Sequence, residues 1–387
     1  MTLPDLSLAA ARSALARIGG AARGREIDRY SRVVWNVIAE PGDGSAGALI
    51  AAVGPTEALR IAAEPADDEW HAARSRWEPR LRPEAVRASL DAAGRAGARL
   101  VVPGDDGWPR RVDDLGVHAP IALWTRGRDD SGTAPTVAIV GARAATAYGE
   151  GVTADLAAEL SATGVTVVSG GAYGIDGAAH RAALSTGGTT VAFLAGGVDR
   201  PYPRGHEGLL SRIAETGAVW SETPCGASPT KWRFLSRNRL IAAMADAVVV
   251  VEAGWRSGSL NTAAHAATLG RPLGAVPGPV TSASSAGCHR ILREYGGVCV
   301  TSADDVREMI GSAGAPDGES AAPDHAGRTD DTTRVLDALS TRIGREVDEI
   351  ARRSGLSPAQ VQTHLGLAVL SGRVIREDDG AWRAVKN

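Results

Sequence analysis

From Thr136 onward the sequence alternates short, nearly uninterrupted apolar runs with alanine-rich stretches of helical length. The runs are TVAIVGA (136–142), VTVVSGG (165–171), TTVAFLAGG (189–197), AVWSE (218–222), AVVVVEA (247–253), PLGAVPG (272–278) and VCVTS (298–302). A strand that is apolar on both sides must be covered on both sides. Helices between successive strands are what covers a parallel sheet. The pattern predicts an α/β, doubly wound, mostly parallel sheet.

Two other kinds of segment flank this one. Residues 1–130 read as mostly helical, with Ala-, Leu- and Arg-rich stretches at 5–18, 28–40, 44–63 and 83–96. Pro41-Gly42, Gly54-Pro55 and Pro79 break them. Trp35, Trp70, Trp77, Trp108 and Trp124 are expected to pack in the core or between domains. GARLVVPGDDG (97–107) reads as an edge segment. The sheet domain is placed at 131–310 and a flexible linker at 311–329, where the chain is small, polar and rich in Pro and Gly. Residues 330–387 read as a small winged helix: TTRVLDALS, VDEIARRSG and VQTHLGLAVLSG as helices, then a hairpin turning at Asp379-Gly380.

At 387 residues the chain has room for two or three cores. Its net charge of −3 excludes a globally basic nucleic-acid binder and leaves room for a local basic patch. Only Lys231 and Lys386 are lysines, so the average arginine carries no special meaning here. Cys225, Cys288 and Cys299 are too few and too scattered for a zinc site, and are expected as buried or partly buried free thiols in a reducing cytoplasm. No apolar run approaches the ~20 residues of a membrane span. The first twenty residues lack a secretory pattern, so a cytoplasmic protein is expected.

Two glycine-rich loops follow strands and precede helices: VGARAATAYGEG (140–151) and SGGAYGIDGAAH (169–180). Glycine lets a backbone approach a phosphate, and the first N–H groups of a helix favour an anion. Ligands of an open α/β sheet gather at the carboxyl ends of the strands, so both loops should line one site. Neither is a dinucleotide or triphosphate motif, and no cofactor is expected. Tight turns and close packing would call for the same glycines. Arg143, inside the first loop, offers a planar fork for a phosphodiester, or else pairs with Glu150 or Asp155.

KWRFLSRNR (231–239) carries Lys231, Arg233, Arg237 and Arg239 with Trp232 and Phe234 between them and no acid. Cations that track a backbone beside rings that stack on bases suit a single strand, and each stacked base is worth about 1–3 kcal/mol. The alternative puts Trp232 and Phe234 in the core and the arginines at the start of the following helix.

VGAR followed by YG, SGGAYGIDGAAHRAAL, LAGGVDRPYP, FLSRNRLI, VVVVEAGWRSGSLNTAAHA and AVPG together resemble, in order and spacing, the DNA-processing protein A (DprA/Smf) family of recombination mediators. The resemblance is dense over 136–300, and VVPGDDGWPRRVDDL fits it further upstream. It implies a helical N-terminal domain, an extended Rossmann-like domain and a winged helix. It also implies a non-catalytic homodimer that binds single-stranded DNA and helps load the RecA recombinase during natural transformation. Family strand contacts match Arg143, Lys231 and Phe234. With the loops, the site is expected at Gly141, Arg143, Ser169, Gly170, Gly171, Lys231, Phe234, Arg237, Asn238 and Arg239. Leu235 and Asn261 depart from the family pattern without removing a phosphate-contacting group.

A second reading is a nucleotide phosphoribohydrolase-like enzyme, with Glu252, Asp176 and His180 as acid/base residues, although the P-G-G-x-G-T turn of such enzymes is absent. Without that chemistry Asp176 caps a helix, Glu252 pairs with Arg256 or Arg239, and His180 sits on a helix surface. A third reading, a transcription factor acting through the winged helix, meets a tail in which nine Lys/Arg balance nine Asp/Glu. Only Gln360, Gln362, Thr363 and His364 would be its polar contacts.

Overall fold

The computed structural model describes residues 3–19, 24–66, 68–128, 134–312 and 330–385. Among these, β1 (Arg99–Val101), β2 (Leu123–Gly127), β3 (Thr136–Val140), β4 (Thr166–Ser169), β5 (Thr190–Phe193), β6 (Ala218–Ser221), β7 (Ala247–Val250), β8 (Leu273–Ala275) and β9 (Val298–Cys299) form one sheet. Its order is β1-β2-β6-β5-β4-β3-β7-β8-β9. The expected apolar runs are the parallel strands β3 to β9. β4, β5 and β6 wind away from β3 on one side and β7, β8 and β9 on the other, so the winding reverses between β3 and β7. The sheet also reaches back before residue 130. RLV and LWTRG are short apolar strands, and they add antiparallel beyond β6.

Ahead of the sheet stand α1 (Leu8–Leu15), α2 (Glu26–Ile38), α3 (Gly44–Val53), α4 (Pro55–Ala63), α5 (His71–Trp77) and α6 (Pro83–Ala96). Gly54, at φ 78°, with Pro55 opening α4, breaks the 44–63 stretch where expected and sets its two helices at 118°. Trp35, Trp77 and Trp124 are fully buried in this region, whereas Trp70 is half-buried at its edge.

Helices α7 (Ala147–Ala162), α8 (Ile175–Ser185), α9 (Glu207–Thr216), α10 (Lys231–Met244), α11 (Ser259–Thr268), α12 (Ala286–Glu294) and α13 (Ala303–Ser312) cover the sheet. The two-residue alternation of a strand sorts the core. Val137 and Ile139 pack with Leu156 and Leu160 of α7 and Ile175 of α8. Ala138 and Val140 face Leu240, Ile241 and Met244 of α10 and Leu260 of α11. Burying each such aliphatic side chain contributes about 1.5–3 kcal/mol.

The tail is α14 (Asp331–Ala338), α15 (Val347–Ser354), α16 (Pro358–Leu370) and the hairpin β10 (Val374–Arg376) with β11 (Trp382–Ala384). Ser357 and Gln360 form a capping box at α16, with Pro358 at its first position, and Gly380 turns the hairpin at φ 88°. Val335, Ile350, Leu365 and Val374 make its separate core. The expected linker lies outside the described residues from 313 to 329.

Candidate nucleic-acid interface

The two glycine-rich loops meet backbone to backbone at the carboxyl ends of β3 and β4. Ile175 N–H donates to the Ala142 carbonyl at 3.2 Å, and Ala142 N–H to the Glu252 carbonyl at 2.7 Å. Close packing accounts for their glycines. A Cβ on Gly141 would lie 2.6 Å from Ile175 Cγ1, and one on Gly174 (φ 71°) 2.3 Å from the Ala142 carbonyl oxygen. A Cβ on Gly170 would lie 2.0 Å from Arg237 Nη1. Gly171 is left-handed at φ 69°, and Ser169 Oγ donates to the Ile139 carbonyl at 2.7 Å. Ser169, Gly170 and Gly171 are buried, whereas Arg143 at this crossing is exposed.

Thr230 caps α10, accepting from Arg233 N–H at 3.4 Å, so the KWRF segment forms its first turn. Lys231 and Phe234, three residues apart, share the outward side. Trp232, Arg233, Arg237, Asn238 and Arg239 are buried. Arg233 forms a bidentate pair with Glu40 at 2.9 and 3.1 Å. Arg239 pairs with Glu222 at 2.7 Å and donates to the His118 carbonyl at 3.0 Å. Asn238 donates to the Gly258 carbonyl at 3.2 Å, and Arg237 to the Phe193 carbonyl at 2.6 Å. Arg237, Asn238 and Arg239, expected as strand contacts, thus make their hydrogen bonds inside the protein. The reason is the helix itself: its face towards the sheet and the N-terminal helices claims them.

Burial lowers the Arg237 pKa to about 10, against the attraction of Asp176, and the Arg143 charge lowers it further; it remains a cation at neutral pH. Burial raises Asp176, opposed by Arg237 and by the Ala172 and Gly170 N–H groups that Asp176 accepts. A positive charge is therefore held just beneath the surface that Arg143 occupies.

At that surface the Arg143 guanidinium carbon lies 4.5 Å from the Phe234 ring centroid, with no ion pair to Glu150 or Asp155. On the same phenylalanine, Tyr202 packs with centroids 5.5 Å apart and planes tilted by 56°. Tyr202 is 46% exposed. Tyr173, equally exposed, packs edge-on against His206, whose Nδ1 bonds the Gly171 carbonyl oxygen at 3.0 Å. The result is a run of ring, ring and cation beside Lys231, with Tyr202 and Arg143 exposed and Phe234 half-buried between them. Tyr202 and Tyr173 were absent from the expected set. Their signal was an aromatic placed inside a small-residue loop at a strand's carboxyl end, in RPYP and GGAYG.

Glu252, Asp176 and His180 are tied to separate partners. Glu252 accepts from the Thr146 N–H at 2.9 Å and from its hydroxyl at 2.6 Å, rather than pairing with Arg256 or Arg239. His180, expected on a helix surface, is fully buried and bonds Thr190 Oγ1 through Nδ1 at 2.7 Å. A groove of about 480 Å³ opens at the β3/β7 reversal between Thr146, Tyr148, Glu252, Pro277 and Ser285. Among the described residues no three His, Cys, Asp or Glu side chains group as metal ligands would. All three cysteines are free thiols. Burial raises Cys225 and Cys288 to about 12, whereas Cys299, expected at least partly buried, is exposed on β9. No single helix among the described residues is long and apolar enough to cross a membrane.

This fold has relatives. Residues 99–311 match DNA recombination-mediator protein A, and residues 319–380 match the DprA winged helix domain. A putative DNA processing protein DprA of Mycobacterium tuberculosis is 47% identical over 90% of this chain and 92% of its own length. The structure of DNA processing protein A from Streptococcus pneumoniae superposes with a TM-score of 0.58 at 29% identity, covering 72% of this chain and 97% of that one. The Helicobacter pylori protein, described for its single-stranded DNA binding mode, superposes with a TM-score of 0.50 at 28% identity, covering 55% of this chain and 95% of that one. The chain belongs to the DNA recombination-mediator protein A (DprA/Smf) family.

Proposed function

We propose that this protein binds single-stranded DNA across the carboxyl edge of its sheet, without catalysing a reaction, and acts in the cytoplasm as a mediator that helps load RecA. The observation that carries this is the Tyr202–Phe234–Arg143 run beside Lys231, in which Tyr202 and Arg143 are exposed and Phe234 is half-buried beneath Arg143. Rings next to cations offer stacking to bases and charge to phosphates, and duplex DNA hides the base faces that such rings use. The single-strand binding described for the Helicobacter pylori relative supports the same reading. In the free protein Arg143 rests on Phe234. On binding it turns to a phosphate and frees that ring for a base. Gly141, Ser169, Gly170 and Gly171 hold the loops, and Arg237, Asn238 and Arg239 hold the platform from behind.

The substrate reading extends to transformation and repair: a protein that coats incoming or repair-derived single strands hands them to the recombinase. A second copy completes the assembly in this reading.

The test is a fluorescence-anisotropy titration of labelled poly-dT and of its duplex at two salt concentrations. Tight, salt-dependent binding of the single strand over the duplex supports the reading. Equal, weak binding of both overturns it and directs attention to nucleotide hydrolysis at the Glu252 groove. RecA filament growth on poly-dT, followed with and without the protein, tests the mediator step.

A further inference from the structure

The winged-helix tail lies against the first turn of α10. The Arg334 guanidinium carbon of α14 stands 4.6 Å from the Trp232 ring centroid, and Trp232 is only 4% exposed. One turn further along α14, on the same side, Asp337 stands within electrostatic reach of Lys231, its Oδ2 buried without a hydrogen-bond partner. Behind this seam Glu40 pairs with Arg80 and Arg233 and feels Arg334. The α15 C-cap closes on it: a Cβ on Gly355 (φ 73°) would lie 2.3 Å from Glu40 Cγ. The tail is therefore seated on the helix that carries the candidate DNA contacts.

Lys231 is the lysine of that interface, and its charge opposes the upward push that burial gives the Asp337 carboxyl of the chain's own tail. Meanwhile α16, the helix that would read a duplex, has three of its four polar side chains bonded within the tail, with Gln362 the exposed exception. Gln360 closes the capping box, Thr363 donates to the Ala359 carbonyl, and His364 bonds Thr332. What remains on its surface includes Leu367 and Leu370, 54% and 86% exposed.

We propose that the docked tail is a built-in competitor for the DNA strand: Asp337 answers the Lys231 charge that a phosphate would otherwise use, so strand binding and tail docking weaken each other. This rests on the single-strand reading above. Coupling of two bound states is reciprocal, so what the tail takes from strand affinity the strand takes from tail docking.

The test compares poly-dT affinity of the full chain with Asp337→Asn, Lys231→Ala, the double variant and Arg143→Ala. Hydrogen exchange over 331–338 is followed in the unaltered protein with and without poly-dT. Asp337→Asn is expected to tighten binding about two- to fivefold, the scale of a half-exposed charge pair. Lys231→Ala should weaken binding more in the Asp337→Asn background than alone, and exchange over 331–338 should rise when poly-dT binds. An unchanged affinity for Asp337→Asn, equal Lys231→Ala losses in both backgrounds, or unchanged exchange overturns the proposal if Arg143→Ala still weakens binding. Loss of any Arg143→Ala effect instead overturns the single-strand reading, and the competitor with it.

Discussion

Arg143 and Arg237 approach the same phenylalanine, at 4.5 and 5.8 Å from its centroid, yet their surroundings give them different tasks. Arg143 is exposed and free to leave the ring for a phosphate. Arg237 is buried, bonded to the Phe193 carbonyl and set beside Asp176. Replacing Arg143 with alanine should lower poly-dT affinity and leave the urea midpoint nearly unchanged. Replacing Arg237 with alanine should lower stability by about 3 kcal/mol or more, since it strands a buried partner. Equal stability losses in the two variants would contradict this division. Tyr202→Ala should reduce single-strand affinity by about 1–3 kcal/mol, the worth of one stacked base, with duplex affinity unaffected. Titrations of both DNAs decide it.

The loops and helices hold these side chains through backbone contacts that tolerate little change. Gly174 opens α8 at φ 71° and sits against the carbonyls of Ala142 and Arg143. Gly174→Ala should therefore cost about 1–3 kcal/mol in unfolding measurements and weaken poly-dT binding together, by displacing the loop that bears Arg143. Further along α8, His180 faces β5. Burial lowers it to about 3, helped by the charges of His206, Arg237 and Arg181, and burial lowers His265 of α11 to about 4. Both are neutral when folded, and the unfolded chain takes up protons below about 6.5. Their stabilisation is thus present above pH 6.5 and lost as pH falls towards the folded values. The slope is at most ~1.4 kcal/mol per pH unit for each histidine. Urea midpoints between pH 7.5 and 4.5 should fall accordingly, and His180→Gln should flatten the slope.

At the scale of the molecule, three segments far apart in sequence converge on Glu40. Burial pushes its carboxyl up, but Arg233 and Arg80, with Arg334 beyond, outweigh burial and hold it below the ordinary range. Glu40→Gln leaves buried guanidiniums without their counter-charge and should destabilise by about 3–5 kcal/mol in thermal or urea unfolding. At the far edge of the sheet, β9 is only two residues long, with Val298 48% exposed and Cys299 exposed. An open apolar edge is a ready surface for a second chain. On the homodimer reading, Val298→Asp should shift sedimentation equilibrium towards monomer. An unchanged mass distribution would place any pairing elsewhere.

How much of this the residues announced follows from the range of each signal. The apolar runs from TVAIV to VCV, the glycine breaks at Gly54 and Gly380, and the capped start of α16 at Ser357 are local patterns. Each is decided by periodicity or backbone freedom within a few residues, so each was legible. Arg143 was legible because a charge inside a glycine-rich loop at a strand end has few places to go but outward. The cluster 231–239 was not, because composition does not say which helix face turns inward. That choice was made by Glu40, 193 residues from Arg233, and by the Phe193 carbonyl and Glu222. Tyr202 and the seating of the tail on Trp232 likewise depend on chain segments meeting across the fold. The sequence by itself determined the parallel strands β3 to β9, the helices between them and the winged-helix tail, since those rest on local pattern, whereas the strand order and the antiparallel β1 and β2 at its edge came from pairing across the fold. Burial and charge pairing are sums over distant neighbours, and only the tertiary structure decided them.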